Sequence, residues 1–143
     1  LTMHAHGGVD MLRAGVQGLE EGAHNAGLEP PQSLAITVLT SDGDAPPHIM
    51  PKRVMLAAEA GCSGIVCAVG DLEEAHHYAP RLTRVTPGIR LSGDNADDQA
   101  RAASPGDALT GGSDLLVVGR AVTRADDPIA AAQAIHASAA SAG

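Results

Sequence analysis

Aromatic side chains are almost absent from this sequence. Its 143 residues include no Trp, no Phe and a single Tyr, Tyr78. Proteins that hold nucleic acid usually combine a basic surface with aromatic rings on which bases stack, whereas this chain carries a formal net charge of -8. Nucleic acid is therefore not an expected partner. Hydrophobic residues still make up 44% of the chain, so we expect an aliphatic core.

Long apolar runs are also missing, because no stretch reaches the roughly 18 to 20 residues that a membrane-spanning helix needs. The first eight residues contain two His and no basic start of a secretory leader. We therefore expect no membrane association and a cytoplasmic location. Cys62 and Cys67 fit neither a C-x-x-C redox pair nor a zinc knuckle, and buried thiols are expected.

Histidines are present but are not spaced as metal ligands. His4 stands alone in an apolar run, and His76 and His77 are adjacent, so on a helix they point to different faces. Lys52, the only lysine, follows a proline and is expected to be a solvated surface residue. No metal site is predicted.

Short apolar runs bounded by turn residues predict five strands that are buried on both faces. Segments with helical spacing lie between them, and this alternation predicts parallel pairing in an α/β domain that spans residues 1–143. The predicted strands are Leu1–Ala5, Leu34–Leu39, Gly64–Cys67, Arg84–Thr86 and Leu115–Val118. The predicted helical segments are Val9–Ala26, Lys52–Ala60, Leu72–Ala79, Pro105–Leu109 and Ile129–Ala140.

Two helix starts are marked by a capping residue before a proline, at Ser104 and at Asp127. The segment from Gly88 to Ala103 is long, polar and rich in Asp, which is typical of a functional loop. Five βα units fit either a complete doubly wound sheet or part of an eight-stranded barrel. Composition does not decide between the two.

Two adjacent strand ends carry a Gly and an Arg. Thr86-Pro87-Gly88-Ile89-Arg90 closes one strand, and Val117-Val118-Gly119-Arg120 closes the next. Glycine lets the backbone approach a ligand, and a guanidinium binds phosphate oxygens in a two-pronged manner, so the pattern suggests a phosphate site. The alternative is that both arginines are solvated or pair with Asp residues.

The same residues resemble the phosphate-binding region of the orotidine 5'-phosphate decarboxylase family, together with the loop that reaches Asp98-Gln99. Residues 2–8, 36–41, 64–67 and 126–128 also resemble successive motifs of that family, in order. The resemblance implies a TIM-type parallel (β/α) barrel, of which this chain holds about five of eight units. It also implies that phosphate is held by Arg90, Gln99, Gly119 and Arg120, with Thr40 and Ser41 facing the pyrimidine and ribose.

The resemblance implies decarboxylation of orotidine 5'-monophosphate to uridine 5'-monophosphate without a cofactor, as in pyrimidine nucleotide synthesis. It further implies a homodimer, or association with a missing N-terminal segment. The family's catalytic Asp-x-Lys-x-x-Asp segment has no counterpart here, so no catalytic residue is assigned and activity of this chain alone is not expected. His6 and the short proline-rich segment after Ser41 also depart from the family pattern.

Two other functions stay open. The chain could be a non-catalytic module that binds a nucleotide phosphate, or it could belong to another phosphate-binding barrel lyase of the same superfamily. Under the decarboxylase reading, residues 88–103 are expected to close over bound phosphate.

Overall fold

A single sheet of five parallel strands organises the molecule. The computed structural model describes residues 1–39, 45–91 and 103–141. The strands pair in the order β1-β2-β3-β4-β5, and every neighbouring pair is parallel. Their bounds are β1 Thr2–His4, β2 Leu34–Ile36, β3 Gly64–Val66, β4 Thr83–Thr86 and β5 Leu115–Leu116. The five predicted strands are confirmed, although most are shorter than the apolar runs that indicated them.

Helices follow the strands along the chain. Their bounds are α1 Val9–Ala26, α2 Ile49–Glu59, α3 Leu72–Tyr78, α4 Pro105–Thr110, α5 Arg120–Thr123 and α6 Pro128–Ala140. The predicted start of α2 at Lys52 was wrong by three residues, because Pro51 lies within the first turn, where a missing N–H costs no helical hydrogen bond. The short helix α5 was not predicted.

Side chains cap both helix starts that the sequence marked. The Ser104 hydroxyl accepts a hydrogen bond from the Asp107 N–H at 3.1 Å. The Asp127 carboxylate accepts from the N–H groups of Ile129 and Ala130, each at 3.0 Å. These bonds satisfy donors that the helix itself leaves unpaired, which explains why both predicted starts are confirmed.

The strand order decides the architecture. A doubly wound sheet reverses its strand order at a switch point, whereas here each strand lies beside its neighbour in sequence. Right-handed crossovers in a single direction place every connecting helix on the same face and curl the sheet towards a barrel. The structure therefore favours the partial (β/α) barrel over a complete doubly wound sheet.

The two faces of the sheet differ in burial. Ala35 and Ile65 pair across β2 and β3 and are fully buried beneath the helices, with Leu12 and Val54 in the same core. In a closed (β/α) barrel, the opposite face of the sheet lines the interior. Along that face the register aligns one apolar side chain from each of four neighbouring strands, namely Ile36, Val66, Val85 and Leu115. Of these, Leu115 on β5 remains 52% exposed.

Both thiols, Cys62 and Cys67, are buried and free of disulfide bonds, as the sequence predicted. Burial raises the pKa of the Cys62 thiol, and a hydrogen bond with Ser33 opposes this effect only in part. In the parts of the chain that the structure describes, no helix is both long and apolar enough to cross a membrane.

Candidate functional site

The carboxyl ends of β4 and β5 meet at one edge of the sheet. Val85 and Thr86 pair with Leu115 and Leu116, and the two strands run parallel. Arg90 lies four residues after the end of β4. Gly119 and Arg120 lie three and four residues after the end of β5. The structure thus brings these three predicted phosphate-binding residues to the same edge.

The segment that carries Arg90 is held by backbone hydrogen bonds at both ends of the loop. Ala103 donates its N–H to the Gly88 carbonyl at 3.2 Å, and Arg90 donates its N–H to the Ala103 carbonyl at 3.0 Å. Gly88 is buried and has a φ of 80°, a backbone conformation that residues other than glycine rarely adopt. Residues 88–90 therefore have a fixed backbone path.

The Arg90 side chain lies along this backbone and is partly exposed. Its Nη1 donates to the carbonyl of Ile89 at 2.8 Å, which anchors one side of the guanidinium. No carboxylate within the described ranges forms an ion pair with Arg90. The alternative in which an Asp neutralises this arginine therefore has no support in residues 1–39, 45–91 and 103–141.

Gly119 and Arg120 form the turn that leads from β5 into α5. The Gly119 carbonyl accepts from the N–H groups of Val122 at 2.9 Å and Thr123 at 3.1 Å. Gly119 is exposed and Arg120 is partly exposed, so both remain accessible at the edge of the sheet. A tight turn with little side-chain bulk leaves room for a ligand oxygen to approach the backbone.

Three predicted site residues, Thr40, Ser41 and Gln99, lie outside the described residues, as does most of the proposed phosphate loop, residues 92–102. Their assigned roles stay predictions.

Sequence reasoning missed two buried polar side chains near the same edge. Asp71 lies just after β3 and is 9% exposed, and Thr86 ends β4 and is fully buried. The Thr86 hydroxyl has no hydrogen-bond partner among the residues that the structure describes. The end of β4 thus places a buried polar group at the edge of the sheet that Arg90 and Arg120 follow. A single Thr at the end of an apolar run does not predict a buried hydroxyl without a partner.

Metal ligation has no candidate in the described ranges, where no three His, Cys, Asp or Glu side chains are grouped closely enough to hold an ion. His76 instead lies against Arg84, on the side of the sheet where the strands begin. The arrangement at the carboxyl edge offers cationic and backbone donors to an oxyanion. It presents no candidate nucleophile or acid–base pair within the described residues.

Comparisons with known proteins agree with this geometry. Orotidine 5'-phosphate decarboxylase of Cutibacterium acnes is 39% identical over 95% of this chain and 61% of its own length. The enzyme of the same name from Bacillus pumilus is 38% identical over 92% of this chain and 61% of its length. This chain therefore spans about three fifths of these curated relatives.

A solved structure gives the same result for the fold. The crystal structure of orotidine 5'-phosphate decarboxylase from Lactobacillus acidophilus superimposes with a TM-score of 0.77 and 31% identity, over 96% of this chain and 62% of that one. Five βα units of an eight-unit barrel account for a share of that size. The family model described as "Orotidine 5'-phosphate decarboxylase / HUMPS family" matches residues 1–135, and the chain belongs to that family.

Proposed function

We propose that this chain supplies the phosphate- and base-binding part of an orotidine 5'-monophosphate decarboxylase, which forms uridine 5'-monophosphate in pyrimidine nucleotide synthesis. The observation that carries the proposal is the convergence of Arg90 and the Gly119-Arg120 turn at one edge of the sheet. In parallel (β/α) barrels, phosphate is commonly bound by the loops after the last two strands. The relatives that bear this enzyme name support the assignment.

Under this proposal, Arg90 and Arg120 bind the 5'-phosphate as charge-assisted donors. The Ile89 carbonyl anchors the Arg90 guanidinium, so less conformational entropy is lost when the phosphate is bound. Gln99 contributes an amide from the loop, and Thr40 and Ser41 contact the base and ribose. Binding energy from a phosphate far from the reacting carbon helps to hold the pyrimidine in position for decarboxylation.

The proton donor for the reaction is proposed to come from residues outside these 143. In the proposed mechanism, loss of carbon dioxide leaves a carbanion at the pyrimidine C6, and an ammonium group held by carboxylates protonates it. The 143 residues contain one lysine and no Asp-x-Lys-x-x-Asp pattern. Lys52 lies exposed on α2, takes part in none of the ion pairs between described residues, and does not meet this requirement.

Association with further βα units, or a homodimer, is part of the same proposal. The barrel-interior face leaves Leu115 and Val117 about half exposed, at 52% and 48%. Burying apolar area of this kind yields roughly 25 cal/mol per Å². Additional strands that pair with β1 and β5 would cover this face and close the ring, and a cytoplasmic location is proposed for the assembly.

One alternative has a specific observation in its favour. The description of the matching family model also names HUMPS, so the family includes proteins other than the decarboxylase. A different member that binds phosphate would use the same arginines at the strand ends. Uridine monophosphate distinguishes the two, because a pyrimidine site binds it better than ribose 5-phosphate. A non-catalytic nucleotide-binding module would bind uridine monophosphate equally well and would remain inactive in any assembly.

The test is a decarboxylation assay with orotidine 5'-monophosphate. The purified chain is assayed alone and after addition of a polypeptide that carries three βα units with the Asp-x-Lys-x-x-Asp segment of a relative. We expect no turnover alone and measurable turnover from the mixture. Turnover by the chain alone would overturn the assignment of the proton donor, and a mixture that assembles but stays inactive would favour the non-catalytic module.

A further inference from the structure

A cavity with a cationic lining lies apart from the arginines of the proposed phosphate site. This cavity, of about 380 Å³, opens between the segment that follows β1 and the first half of α2. Its apolar wall is formed by Ala5, Ile49 and Leu56, and its polar rim by His6, Lys52 and Arg53. This volume lies within the range of small-molecule sites. We refer to it as the α2 cavity.

The rim of the α2 cavity is cationic in a chain whose formal net charge is -8. Lys52 and Arg53 are consecutive on α2, and none of the described residues that line the cavity is an Asp or a Glu. None of the ion pairs between described residues involves either side chain. Two adjacent cations repel each other, and a bound anion would relieve that repulsion.

Arg53 is held in place before any ligand binds. Its Nη1 donates to the backbone carbonyl of Thr37 at 2.6 Å, and Thr37 is itself buried and donates its hydroxyl to the Val66 carbonyl at 2.9 Å. A guanidinium anchored in this way keeps other N–H groups to offer to an oxyanion at a small entropic cost. Lys52, which is exposed, adds a mobile second charge.

The position of the rim on its helix strengthens the effect. Ile49 is the first residue of α2, so Lys52 and Arg53 lie within about the first turn, near the positive end of the helix dipole. Ile49 and Leu56 supply aliphatic side chains to the lining, and Ala5 is fully buried. The cavity therefore combines one anchored and one mobile positive charge with an aliphatic lining.

We propose that the α2 cavity binds a phosphate monoester dianion whose organic part packs against Ala5, Ile49 and Leu56. Two full positive charges match a dianion better than a monocarboxylate, and the apolar wall favours an ester over inorganic phosphate. The site shares no residue with Arg90, Gly119 and Arg120, which follow β4 and β5, whereas this cavity lies beside β1 and α2. Binding at this cavity can therefore be measured separately from binding at the edge formed by β4 and β5.

The test is nuclear magnetic resonance titration of the full chain with phenyl phosphate, inorganic phosphate and phenol. We expect phenyl phosphate to shift the amide signals of residues 5–8 and 49–56 in a saturable manner, at lower concentration than inorganic phosphate. Phenol lacks the charge and should shift these signals little. The dissociation constant from residues 49–56 reports on this cavity alone, even when a second molecule binds elsewhere.

Lys52→Gln should weaken phenyl phosphate binding at these amides by about tenfold, the effect of losing one charge-assisted contact. The matched control is Arg81→Gln, which removes the same charge from an exposed turn before β4 and should change the constant less than about twofold. If both substitutions weaken phenyl phosphate binding equally, the effect comes from the net charge of the chain, and the proposed site is wrong. The absence of saturable shifts up to about 10 mM, or equal shifts with phenol, would also overturn the site.

Discussion

Arg84 on β4 and Asp114, just before β5, join the two strands where they begin. The backbone N–H and the Nε of Arg84 donate to the same Asp114 oxygen at 2.8 Å and 3.1 Å, and Nη2 donates to the other oxygen at 3.3 Å. The Arg84 side chain is 14% exposed and that of Asp114 is 43% exposed. This pair joins the two strands whose carboxyl ends are followed by Arg90 and Arg120.

The hydrogen bonds from Arg84 lower the pKa of Asp114, and burial opposes them more weakly. A carboxyl whose pKa falls on folding stabilises the native state above its unfolded pKa, and this stabilisation is lost as pH falls through the folded value. Asp114→Asn should therefore cost about 1 kcal/mol at pH 7, a value that allows for solvent screening.

The measurement is urea unfolding of wild type and Asp114→Asn at several pH values. The difference in free energy of unfolding should be constant from pH 7 down to about pH 5 and should shrink below about pH 4. A difference that does not vary with pH would contradict the ionic origin of the effect.

The cap of α6 offers a matched pair of carboxylates. Asp127 accepts two backbone hydrogen bonds, from Ile129 and Ala130, whereas the neighbouring Asp126 is exposed and makes no such bond in the described residues. Asp127→Ala should lower the free energy of unfolding by about 1 kcal/mol, and Asp126→Ala by less than about 0.5 kcal/mol. Thermal unfolding of the three proteins checks this. If both variants lose the same amount, the cap is not the cause.

Gly88 provides a backbone test of the proposed phosphate site. Gly88→Ala forces a side chain into a φ of 80° at a buried position and should cost roughly 1–2 kcal/mol of stability. It should also weaken uridine monophosphate binding, because Arg90 lies two residues away. The control, Gly18→Ala, adds a Cβ to α1 that meets no described atom within 4 Å beyond its chain neighbours and the nearby helix backbone, and should stabilise the chain by up to about 1 kcal/mol. Calorimetry compares the stability of both variants with that of wild type. Unchanged stability in Gly88→Ala would refute the requirement for glycine at this turn.

Much of the fold could be read from local sequence. Strands buried on both faces give continuous apolar runs, and Ser104 and Asp127 mark helix starts through chemistry that acts within four residues. Lys52 was misplaced as a helix start because Pro51 suggests a boundary, although a proline fits equally well inside a first turn.

The rest of the site depends on contacts between distant segments. Arg53 reaches the Thr37 carbonyl across 16 positions, and His6 meets α2 only after β1 and β2 have paired. No periodicity or motif encodes such an encounter, so the α2 cavity was not predicted. The buried hydroxyl of Thr86 was missed for a related reason, since its environment is set by tertiary packing.

The central claim is that the edge formed by β4 and β5 binds the phosphate of a pyrimidine nucleotide. The most direct measurement is isothermal titration of uridine 5'-monophosphate and uridine into whichever assembly binds the nucleotide, with wild type, Arg120→Ala and the control Arg124→Ala. Arg124 is an exposed arginine just after the same short helix. Arg120→Ala should weaken nucleotide binding by about 1.5–3 kcal/mol and should leave uridine binding nearly unchanged, while Arg124→Ala should affect neither. Equal losses for nucleotide and nucleoside in Arg120→Ala would contradict the account.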